Sequence, residues 1–261
     1  MSSSRLTDLR RPVVLFAFSG WNDAGDAATG VVDHLSETYD TEYGFDLDPE
    51  DYYDFTENRP VHVREGDGEI SIQWATTEVL IAHLPERDLV LVNGPEPTMR
   101  WRTFSRALTS AFRSIKPERV IAMGAMLADA PHSRAVPVSE DGTDYEGPAG
   151  IVSVLAAECK DAGLTVTSLW ASVPHYVAEP PNPKATLALL RRVEEFIDAE
   201  LDLGDLLDQA ATWEQRVAEL VSEDPDVAEY VAGLELRFDT TEATGDEIAW
   251  EFERYLRRRA R

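Results

Sequence analysis

The stretch that most limits what this chain can become is residues 13–35, VVLFAFSGWNDAGDAATGVVDHL. An apolar run, Val13 to Phe18, lies between Pro12 and Ser19-Gly20. Six apolar residues without alternation suit a strand covered on both faces, as in a parallel sheet. Beyond the turn, Ala24, Ala28, Val31 and Leu35 recur at helical spacing and mark one face. Asn22 or Asp23 is placed to cap the first free amides, and Asp26 complements the positive helix end. Strand, tight turn and helix in this order predict an α/β unit with the turn at the mouth of a pocket. The turn lacks the Gly-Lys-Ser/Thr ending of a nucleotide P-loop, and Ser19 lacks the glycines of a hydrolase nucleophile elbow.

The same alternation continues down the chain. Thr41–Asp46, Val79–Ala82, Leu89–Val92, Arg119–Met123, Ala135–Val138 and Leu164–Ala171 read as strands. Thr98–Lys116, Ala149–Asp161 and Lys184–Leu201 read as helices. The pattern predicts a central, mainly parallel sheet between helices over residues 1–201. Val61–Arg64 and Glu69–Trp74 alternate around Gly66-Asp67-Gly68, a hairpin inserted at about 60–75 and a candidate for self-association. Residues 202–261 change character. Leu206, Ala210, Trp213, Val217 and Leu220 mark one helix, Val227, Tyr230, Val231 and Leu234 a second, Ile248, Phe252 and Leu256 a third. This segment is read as a helical appendage, a lid over the core.

Charge and cysteine content narrow the function classes. The formal charge of −25 over 261 residues argues against wrapping nucleic acid or docking on anionic lipid. In so acidic a chain, the expected role of Arg100, Arg102, Arg106 and Arg113 is internal ion pairing. The single cysteine, Cys159, shares a helical face with Ile151 and Leu155 and is expected to be a buried, inert thiol. No apolar run reaches membrane-span length and the first residues lack a secretory apolar region, so a soluble cytoplasmic protein is expected.

Polar residues cluster where the predicted strands end: Asn22 and Asp23, Glu96 and Arg100, His132 and Arg134, and His175, with Glu146 ahead of a helix in the same half. Ligands of open α/β sheets bind outside those ends. The expected ligand-binding set is therefore Asn22, Asp23, Glu96, Arg100, His132, Arg134, Glu146 and His175. His132, His175 and Glu96 are the candidates for proton transfer. An anion would lie on the Asn22 turn amides with Arg100 or Arg134. No metal site is expected, because HExxH, cysteine pairs and tight His/carboxylate spacing are missing. No cofactor is indicated.

Five segments together carry a family resemblance: FSGWNDAGDAATG (18–30), GPEPTMRW (94–101), GAMLADAPHSR (124–134), YEGPAGI (145–151) and LWASVPHYVAEPPNPKA (169–185). On these the chain resembles the proteasome assembly chaperone 2 family, in particular its long actinobacterial members. The resemblance implies a core similar to purine nucleoside phosphorylases, a self-associating hairpin, homotrimers, and a helical lid over a ligand pocket. Eukaryotic and archaeal relatives dock on the proteasome through a C-terminal hydrophobic–tyrosine–any tripeptide; this sequence departs there, ending Arg259-Ala260-Arg261. Two functions follow: a small-ligand-binding protein or enzyme using the strand-end pocket, and a non-catalytic assembly chaperone or adaptor acting on proteasome components.

Overall fold

A computed structural model describes residues 6–64, 66, 68–140 and 146–241. The expected helix through Ile248, Phe252 and Leu256, the basic run 254–261, Tyr145 and Asp67 lie outside the described residues.

The 13–18 run becomes the centre of the molecule. Strand β1 (Val13–Phe16) is fully buried and pairs in parallel with β6 (Asp88–Asn93) on one side and β7 (Arg119–Ala128) on the other. Its side chains alternate between two cores. Val13, Leu15 and Ala17 face helices α1 (Ala27–Thr38) and α5 (Pro183–Ile197). Val14, Phe16 and Phe18 face α3 (Trp101–Ile115) and α4 (Ile151–Asp161). Leu89 and Leu91 against Val90 and Val92, and Ile121 and Met123 against Val120 and Ala122, divide in the same way. A sheet coated on both faces explains why these runs are apolar without alternation.

The sheet has seven strands in the order β2-β5-β6-β1-β7-β9-β8, where β2 is Thr41–Leu47, β5 Thr77–His83, β8 Val138–Glu140 and β9 Val166–Pro174. Its centre, β6-β1-β7-β9, is parallel. The pairs β2–β5, β5–β6 and β8–β9 are antiparallel, so the sheet is mixed rather than mainly parallel. The reason lies in loop length. Residues 84–87 are the whole link from β5 to β6, and a parallel crossover needs a dozen residues or more. The strand expected at Ala135–Val138 forms three residues later, at Val138–Glu140.

Strand β7 runs through Gly124 to Ala128 instead of stopping at Met123. Gly124 sits opposite Trp170 on β9, and a Cβ there would stand 2.5 Å from the indole ring. The glycine thus makes room for a tryptophan within a buried strand.

Strands β3 (Val61–Arg64) and β4 (Ile70–Gln73) pair antiparallel as a separate two-stranded sheet. Val61, Ile70, Ile72 and Trp74 are exposed there. The acidic stretch 46–57 holds the short helix α2 (Pro49–Tyr52), and its Tyr52 and Tyr53 rings tuck into the second core. Helix α6 (Leu206–Glu223) adds Leu206 and Ala210 to the core beneath α1 and α5. Residues 225–241 form a further helix, α7, with Val231 and Leu234 buried.

Candidate functional site

The turn after β1 is stitched to both neighbouring strand ends. Ser19 N donates to Gly94 O at 3.0 Å and Glu96 N to Ser19 O at 2.9 Å. On the other side Ala125 N donates to Asn22 O at 2.8 Å. Gly20 and Gly25 take positive φ, +116° and +65°, which lets the chain fold back within six residues.

The side chains of the turn are used internally. Asn22 is buried and its Nδ2 donates to Glu96 Oε1 at 2.6 Å. The same oxygen accepts from Ile151 N, at the start of α4, at 2.8 Å. One carboxylate thus ties the ends of β1 and β6 to the N-terminus of α4, where the helix dipole favours a negative charge. Asn22 Oδ1 has no partner among the described residues and lies against Gly150, where a Cβ would stand only 1.8 Å from it. Asp23 caps α1: its oxygens accept from Ala28 N at 2.6 Å, Thr29 N at 3.0 Å and Thr29 Oγ1 at 2.5 Å. Burial pushes the Asp23 carboxyl up in pKa, and these hydrogen bonds oppose the shift.

Beside this turn a cavity of about 890 Å³ opens at the carboxyl ends of β1, β7 and β9. Its walls include Trp21, Met126, Leu127, Trp170 and Pro180, with Asp23 and Asp26 as the acidic groups. Trp21 is 66% exposed at its rim. Among the described residues the wall contains no Lys, Arg or His, so the anion arrangement expected from the sequence is not assembled by them here.

The other expected residues fall elsewhere. Arg100 Nη1 pairs with Asp51 Oδ1 at 2.5 Å on the surface. Glu146 is exposed, adjacent to Gly147 of the cavity wall. His132, Arg134 and His175 form a second cluster, under α7. His132 is buried, and both its backbone N and its Nδ1 lie 2.8 Å from Tyr176 Oη. The hydroxyl accepts from the backbone N–H and makes a second hydrogen bond with Nδ1 of the same residue. Burial, and then the Lys184 charge, lower the His132 pKa. Lys184 Nζ donates to His132 O at 2.5 Å and pairs with Glu214 of α6. Arg134 clamps Asp239 of α7 through Nε at 2.7 Å and Nη2 at 2.9 Å, and Ser133 bonds Glu235. His175 Nδ1 is 3.4 Å from Asp129, and its ring meets those of Tyr176 and Tyr230 edge-on. This cluster fastens α6 and α7 to the core.

Of the expected set, then, Asn22, Asp23 and Glu96 converge at the turn, and His132, Arg134 and His175 converge under the helices. The apolar wall of Trp21, Met126, Leu127 and Trp170 was missed. A tryptophan inside the Ser19-Gly20-Trp21-Asn22 turn was its one sequence signal, since loops rarely spend so large a ring on solvent. Cys159 is buried against Thr109 Oγ1 at 3.3 Å, and burial pushes its thiol to about 11. Among the described residues no group of three or more His, Cys, Asp or Glu could hold a metal ion, and no helix is long and apolar enough to cross a membrane.

Fold and site together define a class: a three-layer α/β protein with a mixed sheet, an apolar cleft at its parallel strand ends, and a C-terminal helical segment clamped to the core by a His/Tyr/Arg cluster. Residues 17–221 match the PAC2 family, and the chain belongs to it. A PAC2 family protein of Streptomyces avermitilis is 47% identical over 84% of this chain and 99% of its own, with a TM-score of 0.79. A proteasome-assembly chaperone homologue of Mycobacterium tuberculosis is 45% identical over 84% and 99%, with a TM-score of 0.77. PbaA of Pyrococcus furiosus, an archaeal homologue of proteasome-assembly chaperone, shares the fold at 14% identity and a TM-score of 0.59. No functionally curated protein shows significant sequence similarity.

Proposed function

We propose that this protein is a non-catalytic assembly chaperone or adaptor for proteasome components. The observation that carries the reading is the 45% identity, across 99% of its length, with the mycobacterial proteasome-assembly chaperone homologue. The state of the acid–base candidates supports it. Neither Glu96 nor His132 is among the described residues that line the cavity: Glu96 Oε1 accepts from Asn22 and Ile151 N, and His132 Nδ1 bonds Tyr176. The test is affinity capture of the tagged chain from its native host, followed by quantification of proteasome subunits and of unassembled intermediates in a deletion strain. Subunits enriched over an unrelated bait, with intermediates accumulating in the deletion, are the expected result. No enrichment together with normal assembly would overturn the reading.

The protein works in this reading as a homotrimer held through the β3–β4 ribbon. An isolated two-stranded ribbon is marginal in water, and apolar side chains on both faces of this one need cover. Light scattering on Ile70→Glu/Ile72→Glu should give a monomer where the parent gives a larger species; a monomeric parent sinks this part.

One observation favours a second role, a small-ligand pocket in the core with residues 202–261 as its lid. The cavity is the size of a small-molecule site and mostly apolar. Asp23 and Asp26 on its wall suit a neutral or cationic aromatic compound better than an anion. Trp21 and Trp170 fluorescence during a metabolite screen tests it. Quenching by such compounds, lost in Trp21→Ala, is expected; no response from any compound would refute it.

A further inference from the structure

Of the arginines at α3 expected to pair internally, Arg100 pairs with Asp51 and Arg106 reaches Glu158, whereas Arg102 and Arg113 form no ion pair among the described residues. Arg102, Arg106 and Arg113 are exposed and lie on one stripe of the helix, since steps of four and seven residues return close to the same angle. Among the described residues, Arg102 and Arg113 have no ion-pair or hydrogen-bond partner, and Arg106 reaches only Glu158, at 3.7 Å. Arg106 and Arg113 form one bank of a groove of about 440 Å³ between α3 and α4, with Ser110 and Ser114 beside them and Glu158 opposite. In a chain with a net charge of −25, carboxylates were available to neutralise every one of these cations. Arg102 and Arg113 face solvent instead.

We infer that the α3–α4 groove is a docking surface for a carboxylate-rich, extended segment of a partner protein. Charge complementarity carries the choice of partner. The guanidinium-bearing positions are about 6 Å and about 10 Å apart along the helix axis. A single phosphate or carboxylate spans neither gap. An extended peptide rises about 3.4 Å per residue and turns every second side chain to the same face, so acidic residues at alternate positions, about 7 Å apart, can line up along the stripe. Arginine presents a planar fork to each carboxylate, and the Ser110 hydroxyl between Arg106 and Arg113 can serve the peptide backbone. Nucleic acid fits less well. Three cations release few counterions, and among the described residues the groove wall has no aromatic ring on which bases could stack.

The experiment uses the full chain and a fluorescein-labelled peptide of alternating Glu and Ser, followed by anisotropy at low ionic strength. Binding should weaken steeply as salt is added. The triple variant Arg102→Gln/Arg106→Gln/Arg113→Gln should bind about tenfold more weakly, in keeping with the modest strength of each exposed pair. A control of identical charge change, Arg59→Gln/Arg191→Gln/Arg216→Gln, should bind as the parent does. Thermal melts of both variants establish that each is folded. Three results would overturn the inference: no binding by the parent, equal losses in the two triple variants, or tighter binding of a single-stranded oligonucleotide than of the peptide.

Discussion

Replacing Glu96 tests whether its carboxylate holds the strand ends to α4. In Glu96→Ala, Asn22 Nδ2 and Ile151 N both lose their acceptor. A hydrogen bond to a charged group is worth about 1.5–3 kcal/mol, and the abandoned Asn22 amide stays buried beneath Gly150. Ile151 is itself buried, but Glu96 is only half-buried, and water entering the place its carboxylate leaves can recover part of that loss. Values near the lower end therefore apply to both bonds, and the expected loss is about 3–4 kcal/mol. For a chain of this size that is a fall in melting temperature of roughly 6–15 °C. Glu96→Gln retains a carbonyl acceptor without the charge and should lose about 1–2 kcal/mol. Urea unfolding followed by far-ultraviolet circular dichroism and by tryptophan fluorescence measures both variants, and coincident transitions license the linear extrapolation. If Glu96→Ala costs less than about 1 kcal/mol, or if the glutamine variant is no better than the alanine, the carboxylate is not the tie described above.

Three further outcomes follow from the same geometry. Gly150→Ala should be destabilised by several kcal/mol through collision with Asn22 Oδ1, and Asn22→Ala in the same chain should recover part of that loss; absence of recovery would place the strain elsewhere. Cys159, with its thiol at about 11, should react with a disulfide reagent at pH 8 roughly 200-fold more slowly in the native protein than in urea, from thiolate population alone. A His132 pKa lowered in the fold means that stability is full above the unfolded value of about 6.5 and declines as pH falls through it; His132→Gln should flatten that part of the stability profile, and an unchanged slope would show that His132 is not the group titrating.

Local pattern was enough to recognise most elements. The 13–18 run, the turn at Ser19-Gly20 and the helix through Ala28, Val31 and Leu35 were legible because each depends on the burial of residues adjacent along one chain. Even the antiparallel β5–β6 pair was present in the short link around Pro85, although apolar content alone concealed it. The family segments 94–101, 124–134 and 169–185 fall at and just beyond the ends of β6, β7 and β9.

By itself, then, the sequence determined an α/β chain built around residues 13–35, with a hairpin-like segment, a helical C-terminal part and PAC2 family membership. Only the tertiary structure decided what the polar residues do. Glu96 and Ile151 are 55 positions apart, Arg134 and Asp239 are 105 apart, and no spacing rule connects them. Sequence shows that a side chain carries charge. Whether that charge meets an amide, an opposite charge or open water is settled by the packing of distant elements, which is why Glu96 became a tie, His132 a fastening for α6 and α7, and Arg102 and Arg113 face water while Arg106 meets Glu158.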